Sequence, residues 1–310
     1  MNPSSEARQV RSFVLIANPS AGKGRGESVL KVVEKTLRGE GCDVRTLRTT
    51  RRSDAVAFAA EINTTDDMAV IAIGGDGTVH EVLNGLMTID NARRPILGVV
   101  PAGTGNDYAR ELGMVPRDPA TAARSLVRAF TRRADVGCLE GATSRRLFFG
   151  VGVGFALMSA ASAQFDRSLP LPARLSYFVG GVVALLTFDA PELSVTVDEM
   201  TQSGRFMIVH VGLCRTTGGG FCLTPEAGLH TGRLHLSTVS KRGKLTGLVQ
   251  WPWISRGRRL QGVSIVAGDR IRIEGERGML IHVDGELQRI SSGIVEATLM
   301  SSELEILTVR

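Results

Sequence analysis

Three glycine-rich segments each follow an apolar run in the first half of the chain: "NPSAGKGRG" (Asn18–Gly26), "GGDGT" (Gly74–Thr78) and "PAGTGND" (Pro101–Asp107). Glycine tolerates positive φ and close backbone approach, so successive N–H groups can turn toward a phosphate. Thr78 and Thr104 add hydroxyl donors, and a following helix N-terminus adds partial positive charge. One such turn is ordinary turn chemistry, whereas three after strands of one sheet point to a nucleotide-phosphate cradle. Asp76 stands inside it, where a carboxylate repels phosphate unless a cation intervenes. It reads as an acid linked to Mg²⁺, which is usually held by one or two carboxylates plus phosphate oxygens. The other reading is a cap on the next helix. "AGKG" is not a P-loop, because Lys23 is followed by Gly24 and the first glycine of that motif is missing. "GVGVG" (Gly150–Gly154) lacks the dinucleotide spacing and reads as strand packing.

The elements that must position these loops alternate. "SFVLIANP", "CDVRTLRT", "MAVIAIGG" and "PILGVVPAG" read as strands. Between and after them, "GESVLKVVEKTLRGEG", "SDAVAFAAEIN" (with Ser53 as N-cap), "VHEVLNGLM" and "TAARSLVRAF" read as helices. Alternation with continuous apolar strands predicts an α/β domain over residues 11–135, with a parallel, helix-covered sheet. Beyond Asp135 the pattern changes to strands: "RRLFFGVGVGF", "LSVTVDEM", "GRFMIVHVGLC", "RLHLSTVS", "DRIRIEG" and "MLIHVDGELQ". A second, mainly antiparallel β domain is expected over 136–300, and residues 301–310 read as a last strand of either domain. The Asp-Gly of "VDGEL" favours a hairpin turn.

Composition narrows the chemistry. The 310 residues are 43% hydrophobic and 22% charged, which is globular, and the net charge of +6 suits an acidic partner. Cys42, Cys138, Cys214 and Cys222 are scattered, with no Cys-x-x-Cys, so neither zinc nor a disulfide framework is indicated. The longest apolar run, Leu175–Phe188, has 14 residues, and a spanning helix needs about 20. The N-terminal apolar run is too short and too late for a signal peptide. A cytoplasmic, reducing compartment is expected.

Taken in order and spacing, "NPSAGKG", "GGDGTVHEV" and "PAGTGNDYAR" resemble the bacterial diacylglycerol kinase catalytic family, which includes sphingosine kinase relatives. The likeness continues through "GGGFCLTPEA", the G-x-L-x-L of Gly232–Leu236, and "VDGE". The resemblance implies a two-domain lipid kinase with ATP and Mg²⁺ in a cleft between the domains. Asn18, Pro19, Ser20, Ala21, Gly22, Thr49, Gly75, Asp76, Gly77, Thr78, Val79, His80, Glu81, Thr104 and Asn106 would serve the nucleotide. Asp284 and Glu286 would join Asp76 as catalytic residues, with Glu286 accepting the proton of the lipid hydroxyl. His80 stands where many members have asparagine and reads as a helix-face residue, not a base. Bacterial members hold a structural Mg²⁺ through an aspartate where this chain has Thr231, and a neutral hydroxyl is a poor sole ligand for that ion.

The implied acceptor is a diacylglycerol-like or sphingoid-like hydroxyl at a membrane surface, reached peripherally. Trp251 and Trp253 lie between basic clusters in Lys241–Arg259, a pattern that suits an anionic interface but also suits an ordinary packed helix. Phe165–Phe178 reads as an acyl-chain flap or a connector. No nucleic-acid partner is expected, and a homodimer stays open. Two other readings share these features: an NAD kinase-like enzyme, and a nucleotide- or lipid-binding regulator with weak turnover.

Overall fold

The strands that read as unbroken apolar runs are the buried centre of the first unit. The computed structural model describes residues 10–62, 68–114, 118–157, 159, 189–241, 253, 256–258 and 262–309. Two compact units emerge, one of Met1–Asp135 with Ser301–Arg310, the other of Val136–Met300. In the first unit the order is β1 (Ser12–Ala17), α1 (Ala21–Gly39), β2 (Asp43–Arg48), α2 (Asp54–Ala60), β3 (Met68–Gly74), α3 (Asp76–Leu86), β4 (Ile96–Pro101), α4 (Asp107–Glu111) and α5 (Pro119–Val127). The strands pair in parallel, β1 between β2 and β3, and β4 beyond β3. β1, β3 and β4 are buried almost throughout, as covering on both faces requires, while edge strand β2 is part-exposed.

β5 (Phe130–Glu140) leaves the first unit at Asp135 and continues into the second. There follow β6 (Leu147–Phe149), β7 (Gly152–Ala156), β8 (Glu192–Val197), β9 (Met200–Gly212), β10 (Thr216–Thr217), β11 (Phe221–Cys222), β12 (Leu234–Ser240), β13 (Val263–Gly268), β14 (Arg270–Glu274), β15 (Leu280–Val283), β16 (Glu286–Arg289) and β17 (Ile294–Thr308). The pairings are antiparallel, and β9 is shared: its first half lies against β8 and its second half between β7 and β12. β17 answers the question left by residues 301–310. Ile294–Thr298 pair with β14 in the second unit, and Ile306 pairs in parallel with Leu97 of β4 in the first.

Several boundaries differ from the sequence expectation. α3 begins at Asp76, one turn earlier than "VHEVLNGLM" suggests, because Gly75 takes the N-cap place in extended conformation. The segment read as a helix to Phe130 ends at Val127, and β5 starts at Phe130. Ser53 stands at the N-cap of α2 but is left-handed and makes no capping bond through its side chain. Among the described residues, no helix is long and apolar enough to cross a membrane. Phe165–Phe178 and most of the Trp251 segment lie outside the described residues.

Candidate active site

Because β1, β3 and β4 are adjacent and parallel, their carboxyl ends fall side by side, with Ala17 level with Ile73 and Gly74 with Pro101. The three glycine loops therefore meet at one edge of the first unit's sheet, the edge at which such sheets bind ligands. Backbone bonds lace them together: Asn18 N–H donates to Ile73 O (3.0 Å), and Ala102 and Gly103 N–H both donate to Gly74 O (2.7 and 3.1 Å). The approach is as close as glycine permits. A side chain on Gly103 would put its first carbon 2.4 Å from the Cα of Gly75.

After β1, the Asn18 carboxamide accepts from Ser20 N–H (3.0 Å). Gly22, Lys23 and Gly24 are then left-handed in succession, so regular helix begins only beyond them. Pro19, Ala21 and Thr49 complete this corner, with Thr49 N–H donating to Ala17 O at the end of β2 (2.9 Å). The first turn of α3 supplies Asp76, Gly77, Thr78, Val79 and buried His80, whose ring lies beside Asn84. Thr104 is exposed on the third loop.

Asp76 is the first helical residue of α3. Its Oδ1 accepts from Tyr108 N–H (3.2 Å) in the first turn of α4. Two other candidate side chains are engaged by backbone groups, one within the third loop and one at the start of α2. The Asn106 carboxamide bonds both the N–H and the carbonyl of Gly103 (3.1 and 2.9 Å), and Glu81 Oε1 accepts from Ser53 N–H (3.1 Å). Asp107, which no sequence motif singles out, is buried and paired with Arg110 (2.6 Å). Only its place in "GND" hinted at it.

The second group of candidates is in the second unit. β15 and β16 form a hairpin closed by the Val283–Glu286 pair. Its two-residue turn, Asp284–Gly285, has φ values of +49° and +88°, the left-handed pair that such a turn requires. Glu286, partly exposed, is therefore held at the first position of β16. Asp284 is 5% exposed, and its carboxylate accepts from Gly150, Val151 and Gly152 N–H (3.0, 2.8 and 2.9 Å). The "GVGVG" segment thus has packing as its reason. Gly154 pairs with both His210 of β9 and His282 of β15, and a methyl there would fall 2.0 Å from His282 Nε2.

The His210 and His282 rings stack with centroids 6.3 Å apart, and among the described residues their nitrogens have no hydrogen-bond partner. Burial holds both neutral, His210 pushed down to about 3 and His282 to about 4, each favoured only weakly for charging by the nearby Asp284 carboxylate. The unfolded imidazoles bind protons near pH 6.5, so stability is present above that pH and is lost as the pH falls toward the folded values. Each histidine is expected to withdraw roughly 3 kcal/mol by pH 4, at about 1.4 kcal/mol per tenfold change in proton affinity. Denaturant midpoints between pH 7 and 4 measure this, and His282→Leu should reduce the proton uptake on unfolding by nearly one near pH 5.

The Asp76 carboxylate beside backbone-lined loops suits Mg²⁺ carried with nucleotide phosphates. The accessory metal site does not fit. The Thr231 hydroxyl is turned to the carbonyls of Gly228 and Arg233 (3.0 and 3.2 Å), and among the described residues no group of three metal-ligating side chains occurs.

A parallel α/β unit with three glycine loops at one sheet edge, joined to an antiparallel β unit, is an architecture whose ligands bind at those loops. Residues 12–139 match the diacylglycerol kinase catalytic domain, and residues 151–307 match the YegS C-terminal NAD kinase beta sandwich-like domain. The chain belongs to the family that joins these two domains. A diacylglycerol kinase of Bacillus subtilis is 29% identical over 275 residues, 88% of each chain. A protein of Klebsiella pneumoniae named "Probable lipid kinase YegS-like" is 29% identical over 215 residues, 69% of this chain and 70% of that one. The crystal structure of a diacylglycerol kinase from Bacillus anthracis shares the fold, with a TM-score of 0.72, 24% identity, and coverage of 96% of this chain and 97% of that one.

Proposed function

We propose that the protein is an ATP-dependent lipid kinase that transfers the γ-phosphoryl group to a lipid hydroxyl of the diacylglycerol or sphingoid type. The observation that carries this reading is the meeting of three glycine loops and Asp76 at one sheet edge, in a chain of the lipid kinase family. Phosphoryl transfer asks a protein mainly for positioning and charge stabilisation. The loop amides, with Thr78 and Thr104, orient the phosphates, and Glu286 takes the proton of the acceptor hydroxyl. ATP with Mg²⁺, when bound, supplies the phosphoryl group. Trp253, 46% exposed with the Arg258 guanidinium 4.7 Å over its ring, supports a peripheral contact with an anionic lipid surface.

Purified protein incubated with labelled ATP, Mg²⁺ and a total lipid extract should place label in the lipid phase, and mass analysis of that product names the acceptor. Label in NADP when NAD is offered would establish the NAD kinase-like reading instead. ATP binding with no transfer to either would leave a regulator.

A further inference from the structure

The amides of Gly150, Val151 and Gly152 are three successive donors around one buried carboxylate, a concave anion-binding arrangement filled by the protein's own Asp284. The carbonyls of the same residues are also taken. Gly150 O accepts from Cys214 Sγ (3.3 Å), Val151 O from Leu213 and Cys214 N–H (2.9 and 3.2 Å), and Gly152 O from Asp284 N–H (2.9 Å). The buried Thr224 hydroxyl ties the Cys214 carbonyl in turn (2.8 Å). Charge-assisted bonds to a shielded carboxylate are the stronger kind, and this one fixes the left-handed residue that begins the hairpin turn. Glu286 follows across Gly285, its backbone paired with Val283.

We propose that Asp284 is a positioning residue acting through Glu286: it locks the turn to the Gly150–Gly152 backbone so that the glutamate is presented in one place, and it meets neither substrate nor metal. The inference rests on the kinase reading and on Glu286 as proton acceptor. Asp284→Asn keeps one acceptor oxygen and sets an NH₂ group against an amide N–H, so it breaks the lock with little change in volume.

The test is a double-mutant cycle of D284N with E286Q, read as kcat, ATP dissociation constant and hydrogen exchange of the segments spanning 148–156 and 280–289. D284N alone should lower kcat by roughly 10–100-fold with ATP affinity within about twofold, and should speed exchange in both segments. In the E286Q background the same change should cost less than about threefold, because the group being positioned has already lost its function. Gly285→Ala gives a second route if D284N fails to fold. Its methyl meets open space, so only the φ of +88° is strained, and the same sub-additive pattern with E286Q is expected.

Fully multiplicative losses, or an ATP or Mg²⁺ affinity shifted by about tenfold or more in D284N, would overturn the proposal by placing the carboxylate on the ligand. Unchanged exchange at 148–156 would overturn the lock whatever Glu286 does. Full turnover of E286Q alone would sink the proton-acceptor reading and the proposal with it, and the single variant shows this independently of the exchange result.

Discussion

Glu286→Gln slows phosphoryl transfer by roughly 10²–10⁴-fold while nucleotide affinity holds within about twofold, the range expected for loss of a positioned base. The substitution keeps the shape of the side chain and removes its negative charge and its ability to take a proton. The turn before it is set by Asp284 and Gly285 and is untouched. A thermal midpoint equal to that of the parent would show that the fold is intact. A collapse of ATP affinity with turnover per bound complex unchanged would make Glu286 a nucleotide or metal ligand.

Asp76→Asn is expected to cost at least about 10²-fold in activity without loss of stability, since a carboxamide is isosteric but carries no charge to stabilise a bound cation. The asparagine oxygen can still accept from Tyr108 N–H, so the link between the second and third loops survives. Asp76→Ala removes charge and link together. It should abolish transfer and cost about 1 kcal/mol of stability, the usual worth of one such bond. Comparison of the two variants separates the roles: an active D76N beside a weakened D76A would reduce Asp76 to a tether.

The sequence displayed the first unit's framework because a parallel sheet buried on both faces writes itself as unbroken apolar runs, such as "MAVIAIG" in β3. The loops were legible for a similar reason, since close backbone approach leaves glycine as the residue that fits. The start of α3 was not, because Gly75 and Gly77 have poor helix propensity and tertiary packing overrides it. β13 escaped notice since its residues are mostly half-buried and give no sharp alternation. The role of Asp284 was beyond any local reading. Its partners, Gly150 to Gly152, are 132 to 134 positions away in the chain, and "GVGVG" has meaning only beside the two histidines that fill the space its missing side chains leave.

The interrupted makeup of the first unit bears on how the chain is synthesised. Its β1 to β4 sheet is translated early, yet Ile306 and Leu307, both fully buried, belong to it and come only after all of Val136–Met300. Translation at about 5–20 residues per second puts roughly ten to thirty seconds between the two portions. During that interval the flank of β4 that Ile306 will occupy awaits its neighbour, an open strand edge of the kind that invites pairing with other chains. A nascent chain stalled before Ser301 is therefore exposed to aggregation at β4, although every glycine loop of the candidate site has already been made.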